Sequence, residues 1–238
     1  MDSADGEGGG PPQHFQPYLE RVIKTYASDA YRDELLRAKI EYFRQTGEVH
    51  EDDNAFFELR MASFFDWYLF ERPMEGWTLS PVMRYLADHQ YVMPPEDQAV
   101  YQGLGEQIHS LFIFKRRKWR SHLLILKDLL SNTKRYVVER REWSAIEGGD
   151  LFEARLIPFN GELYFTRGFC FYPRGANRYI LREAKRSRKG QGDEPGELMR
   201  KLQYLRYLEE RFKHVDVKRI YSGEGMGLIP ATSRLTLP

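Results

Sequence analysis

At Ser110 the chain changes period. Before it, apolar residues recur at helical spacing. After it they come in short runs of β-branched, aromatic and leucine residues divided by turn signals. Helices followed by a block of strands specify an α+β fold rather than alternating βαβ units.

The N-terminal block predicts helices over residues 15–27 and 30–45. In the second, Tyr31, Leu35, Leu36, Ile40 and Phe43 line one broad apolar face. Residues 47–54 form an acidic break. Residues 55–70, AFFELRMASFFDWYLF, are apolar nearly all round, which predicts a central, buried helix that Pro73 stops. Ser80-Pro81 opens a further helix, with Ser as N-cap and Pro at the first helical position, and Pro94-Pro95-Glu96-Asp97 opens another.

Five strands are expected next, over residues 111–114, 123–126, 136–138, 151–156 and 163–169. Ser131-Asn132, Gly148-Gly149-Asp150 and Asn160-Gly161 mark turns, the last a strong hairpin signal. Strands this short and close predict a small antiparallel sheet or barrel. Helix returns over residues 178–188, and Leu198, Leu202, Leu205, Leu208 and Phe212 mark a long final helix. The expected organisation is a disordered tail (1–13), an acidic helical region (14–109), a five-stranded antiparallel β domain (110–173), a basic helical region (174–220) and a loose tail (221–238).

Charge divides along the same line. Residues 1–110 hold 20 Asp and Glu against 9 Lys and Arg; residues 111–238 hold 15 against 27, so a net +1 conceals −11 and +12. Such asymmetry points to a basic working surface or to contact between the halves. One cysteine, Cys170, excludes an internal disulfide framework and a four-cysteine zinc site; between Phe169 and Phe171 it reads as a buried structural thiol. The first residues lack the basic start and apolar core of a signal peptide, and no run approaches a membrane span. A cytoplasmic protein without membrane or cofactor is expected.

Several segments in order carry a resemblance. Phe64-Phe65-Asp66-Trp67-Tyr68-Leu69-Phe70-Glu71-Arg72 is followed by Thr78-Leu79 and Tyr85-Leu86. Then come Leu126-Lys127-Asp128-Leu129-Leu130, Val137-Val138-Glu139-Arg140 and Gly149-Asp150-Leu151-Phe152-Glu153-Ala154-Arg155-Leu156-Ile157-Pro158. This order resembles a group of bacterial proteins, many of which end in a Cys-rich SEC-C zinc motif. It covers roughly residues 15–173. The resemblance implies a helical region followed by a small β domain and implies no enzyme activity. The chain departs from the group where the zinc motif would lie, since no cysteine follows Cys170.

The best candidate for chemistry is a basic tip, Lys115-Arg116-Arg117-Lys118-Trp119-Arg120-Ser121-His122, between two apolar arms. Phosphates need such charges, and an exposed indole stacks on a base or sugar; the plainer reading is a solvated hairpin loop. Arg140, Arg141, Arg182 and Lys185, with Arg174 and Arg178 nearby, would widen one positive surface if they face the same way, or form a salt-bridged helix face around Glu183. An enzyme reading sets Asp150, Glu183 and Lys185 as the acid, acid and Lys of a metal-dependent nuclease, which needs the carboxylates together on adjacent strands. His109 and His122 flank the first strand pair and could meet in space; no metal-binding spacing of histidines occurs. The expected function is non-catalytic: an intracellular binding or regulatory protein whose basic half contacts an anionic partner, either an acidic protein or a nucleic acid.

Overall fold

The computed structural model describes residues 15–49, 54–141 and 146–222. The expected N-terminal tail, half of the acidic break (50–53) and all but the first two residues of the C-terminal tail lie outside them. The described residues form an α+β fold in which helices at both ends flank a five-stranded mixed sheet.

The helical region comprises α1 (Gln16–Tyr26), a 3₁₀ turn (Asp29–Tyr31), α2 (Arg32–Thr46), α3 (Asn54–Phe70), α4 (Pro81–His89) and α5 (Pro95–Gly105). Proline opens α1, α4 and α5 within their first two positions, where a missing N–H costs nothing. Helix α3 buries Phe64, Trp67, Tyr68, Leu69 and Phe70, as expected of a sequence with little amphipathic character. Helix α2 departs from expectation. It buries Glu34, Ala38, Tyr42 and Thr46, an i, i+4 stripe, with Phe43 beside it, and leaves Leu36 and Ile40 55% and 60% exposed. Glu34 decides the rotation. Its carboxylate meets Arg72 and accepts the Glu75 N–H, so the polar edge of α2 turns inward and part of the apolar arc faces out.

The strands are β1 (Ile108–Arg117), β2 (Leu123–Asp128), β3 (Lys134–Val138), β4 (Leu151–Phe159) and β5 (Glu162–Tyr172). β4 returns beside β1, giving the 4-1-2-3 order of a Greek key. β5 then lies between β4 and β3, and the pairing closes into a ring, β1-β2-β3-β5-β4. Every pair is antiparallel except β3 and β5, which run parallel over only Val137↔Leu163 and Val138↔Tyr164. That corrects the all-antiparallel expectation. The β4–β5 hairpin turns at Asn160 and Gly161, both at positive φ (49° and 78°), as the Asn-Gly signal requires.

Helices α6 (Asn177–Arg188), α7 (Pro195–Arg211) and α8 (Val217–Ile220) follow. They share a core with Leu111, Leu129 and Leu151 of the sheet region. Tyr221, placed by sequence in a loose tail, is buried in that core. The ring has its own interior of Phe112, Leu124, Leu126, Val137, Phe152, Leu156 and Phe165. Ile157 and Tyr164 extend the helical core onto the sheet. At Gly168 on β5, an added Cβ would stand 2.5 Å from Asp66 Oδ2 and 3.0 Å from Ser63 Cα, so glycine permits the close approach of α3.

Candidate functional site

β1 runs further than its apolar residues suggest. Lys115, Arg116 and Arg117 belong to the strand, and only residues 118–122 form the loop. A bulge between Phe114 and Arg116 lets Lys115 be the extra residue. In the loop, the Lys118 N–H donates to Leu123 O at 2.8 Å, and Arg120 takes a left-handed φ of 49°. Trp119 is 82% exposed, with the Arg120 guanidinium 5.8 Å from its ring centre.

The register extends this tip across three strands. Arg116 pairs with Ile125, and Ile125 with Tyr136, so these three share the side of the strands away from the ring interior; Arg116 and Tyr136 are exposed there and Ile125 between them is buried. Tyr136 is 50% exposed, while its neighbour Val137 points into the interior. The next rung on that side is Ile113, Lys127 and Lys134, with Ile113 packed against the C-terminal core and the two lysines continuing outward from it. Rungs of three residues span roughly 10 Å across the strands. Lys115, Arg116, Lys118, Arg120 and Lys134 form no ion pair among the described residues, so their charge faces solvent. Lys127 donates to the Asn132 carbonyl in the β2–β3 turn.

The remaining candidates separate. Arg117 donates to the carbonyls of Glu139 and Arg141 and fastens the tip to the strand end. Arg141 meets Glu139 through both Nε and Nη2, at 3.0 and 2.6 Å, so its charge is neutralised locally. Arg140 is exposed beside it. Arg182 pairs with Glu183 at 2.8 Å, and Lys185 is exposed on the same helix. Arg174 bridges Asp150 and Glu147. The nuclease candidates answer to different arginines: Asp150 to Arg174, and buried Glu183 to Arg182 and Arg186. No group of three or more His, Cys, Asp or Glu among the described residues could hold a metal ion. His109 and His122 lie at opposite ends of β1 and do not form a pair.

A second polar assembly was missed in reading the sequence. His109 Nδ1 lies 2.6 Å from Glu71 Oε1, and Nε2 lies 2.8 Å from Glu153 Oε1. Two carboxylates facing both ring nitrogens require both to donate, which describes an imidazolium. Arg155, almost wholly buried, adds a guanidinium to Glu71 and to Gln107. Glu153 also accepts from Tyr172 OH at 2.8 Å and from Gln203, and Gln203 accepts from Tyr42 OH at 2.7 Å. Beside them Asp66 accepts from Thr166 and from the Gly168 N–H.

Burial alone would lower the pKa of His109, and the Arg155 charge adds to that, but its bonds to Glu153 and Glu71 leave it raised. Burial would raise Glu71, yet the His109 bond and the charges of His109 and Arg155 hold it far below the carboxylate range. Asp66 is raised, by burial above all. Both nitrogens of His109 are engaged, so the assembly ties the end of α3 to β1 and β4. Opposite charges at alternate positions of β4, Glu153 and Arg155, were its one sequence signal: a strand with charged outward residues must have helices ready to answer them. Cys170 is half-buried rather than fully buried, and desolvation pushes its thiol up to about 12, so little of it is thiolate at neutral pH.

A family model matches residues 27–201, which takes in α2 through the first part of α7. The chain belongs to a family of unknown function, DUF7986. The DUF7986 match therefore spans both the basic face and the charged assembly. No curated protein matches the chain. No solved structure matches it either. No helix among the described residues is long and apolar enough to cross a membrane.

Proposed function

We propose that this protein is a non-catalytic binding protein whose β1–β2–β3 face holds an anionic partner, and that the partner is single-stranded nucleic acid. One observation carries the reading. Exposed Trp119 and Tyr136 stand among cations that pair with no carboxylate among the described residues. Cations alone would suit any polyanion. Accessible aromatic faces favour unpaired bases, each stack being worth about 1–3 kcal/mol. Some five-stranded Greek-key barrels bind oligonucleotides on their second and third strands and on the loop joining the first two. That parallel is one of architecture and supports the reading only by analogy. The resemblance to SEC-C-bearing bacterial proteins adds nothing to it, because the motif's cysteines are missing.

The test compares a labelled oligothymidylate, a duplex of equal length and poly-glutamate by fluorescence anisotropy over a salt series. The combined Lys115→Glu, Arg116→Glu and Lys118→Glu variant should melt like the parent, since exposed charges contribute little to folding. It should bind the single strand at least tenfold more weakly, with a salt slope shallower by about 0.7 for each phosphate it no longer neutralises. Trp119→Ala and Tyr136→Ala should weaken the single strand more than the duplex. A reversal variant that folds and binds as the parent does would remove the reading. Preference for poly-glutamate over both nucleic acids would replace it with an acidic protein partner.

A further inference from the structure

We infer that α6 is a second segment of the same binding track, so that a long single strand engages the β2–β3 face and α6 together while a short one engages only the face. The inference rests on the reading of that face as a nucleic-acid site. Its starting point is a junction. Arg188, in the last turn of α6, donates from Nη1 to the Leu129 carbonyl at 2.6 Å. Leu129 is the residue that follows β2, and its side chain is buried with Ile180 and Ala184 of α6. The C-terminal end of α6 is thereby anchored at the β2–β3 turn, beside the rung of Lys127 and Lys134.

Helix α6 divides cleanly. Ile180, Glu183 and Ala184 are buried against the C-terminal core, and Arg178, Leu181, Arg182, Lys185, Arg186, Arg188 and Lys189 are exposed. Its only acid, Glu183, is shared by Arg182 and Arg186, which leaves that trio with net positive charge. The nearby Asp193 is taken by Lys201 at 2.8 Å. Arg178, Lys185 and Lys189 form no ion pair among the described residues. Leu181, 41% exposed, sits among these cations as an apolar contact. β2 is about 20 Å long and α6 about 18 Å. A chain of phosphates that ends at the turn leaves α6 unused, and one that continues past Lys134 meets the α6 cations next.

The experiment uses the full chain and oligothymidylates of about 5 and about 16 nucleotides, the range over which single-strand sites vary. The probe variant is Arg178→Glu with Lys185→Glu, and the tip reversal described above is its control. The α6 variant should lose at least tenfold in affinity for the long strand and less than twofold for the short one. The parent's salt slope should be steeper for the long strand by about 1.4, equivalent to two further phosphates. Thermal melts establish that each variant folds. Equal weakening of both lengths, or of neither, by the α6 variant would overturn the inference; if the tip reversal still loses the short strand, the reading of the face survives. A parent that binds neither length fails on the face itself, and the inference falls with it.

Discussion

Glu71 and His109 join the two differently built parts of the molecule. The carboxylate stands just past the end of α3 and the imidazole near the start of β1, and they meet at 2.6 Å. The contact is an ion pair as well as a hydrogen bond, so its strength depends on pH. His109 has a folded-state pKa above the ordinary 6.5. Its stabilising contribution is therefore complete below about 6.5 and is lost as pH rises through the raised folded value. Glu71, depressed in the folded state, contributes above the ordinary carboxylate range and loses that contribution in acid. Thermal melts of the parent should decline from pH 6.5 upward. His109→Gln should be less stable at pH 6 and should show a flatter decline. Parallel profiles for the two proteins would mean that His109 is neutral in the fold.

Gly168→Ala tests the contact between α3 and β5. The new methyl would meet Asp66 Oδ2 and the backbone at Ser63, and helix backbone cannot swing aside. A loss of about 1–3 kcal/mol is expected, the usual cost of overpacking. Urea titration measures it directly, and an unchanged midpoint would show that α3 has slack at this crossing.

Two tryptophans should respond oppositely. Trp67 is buried, with its ring centre 5.3 Å from that of Tyr42. Trp67→Ala should cost about 3–5 kcal/mol in the same titration. Trp119→Ala should leave the melt unchanged and act only on single-strand binding. If Trp119→Ala destabilises the fold, the indole packs against the protein and is not a free stacking surface.

The Cys170 thiol should be slow to react. With its pKa pushed up to about 12, almost none is thiolate at neutral pH. A thiol-specific chromogenic reagent should label the native chain far more slowly than the chain in denaturant. Equal rates would place Cys170 in an open part of the structure.

The parts of the fold that local chemistry governs were readable. The change of period at Ser110 lies within two residues of the start of β1, and Asn160-Gly161 turned as its backbone preference demands. The rotation of α2 was not readable, because it depends on Glu34 meeting Arg72, a residue 38 positions away. Nor was the parallel seam between β3 and β5, two residue pairs long, which no turn signal announces. The tip was readable as a charged, aromatic run. Its alignment with Tyr136 needed the register, and the split between paired cations such as Arg141 and solvent-facing ones such as Arg116 needed the partners' positions.

The charged assembly also limits how this chain can be taken apart. A cut at Gln107 would leave Glu71 on one piece and His109, Glu153 and Arg155 on the other. Each piece would carry ionised groups made for a neighbour it no longer has, and each would lose part of the core that Ile157 and Tyr164 share with the helices. The basic face cannot be moved to another protein as a portable cassette of five strands. Whatever inherits the five strands must also inherit Glu71, just past α3, which answers His109 and Arg155.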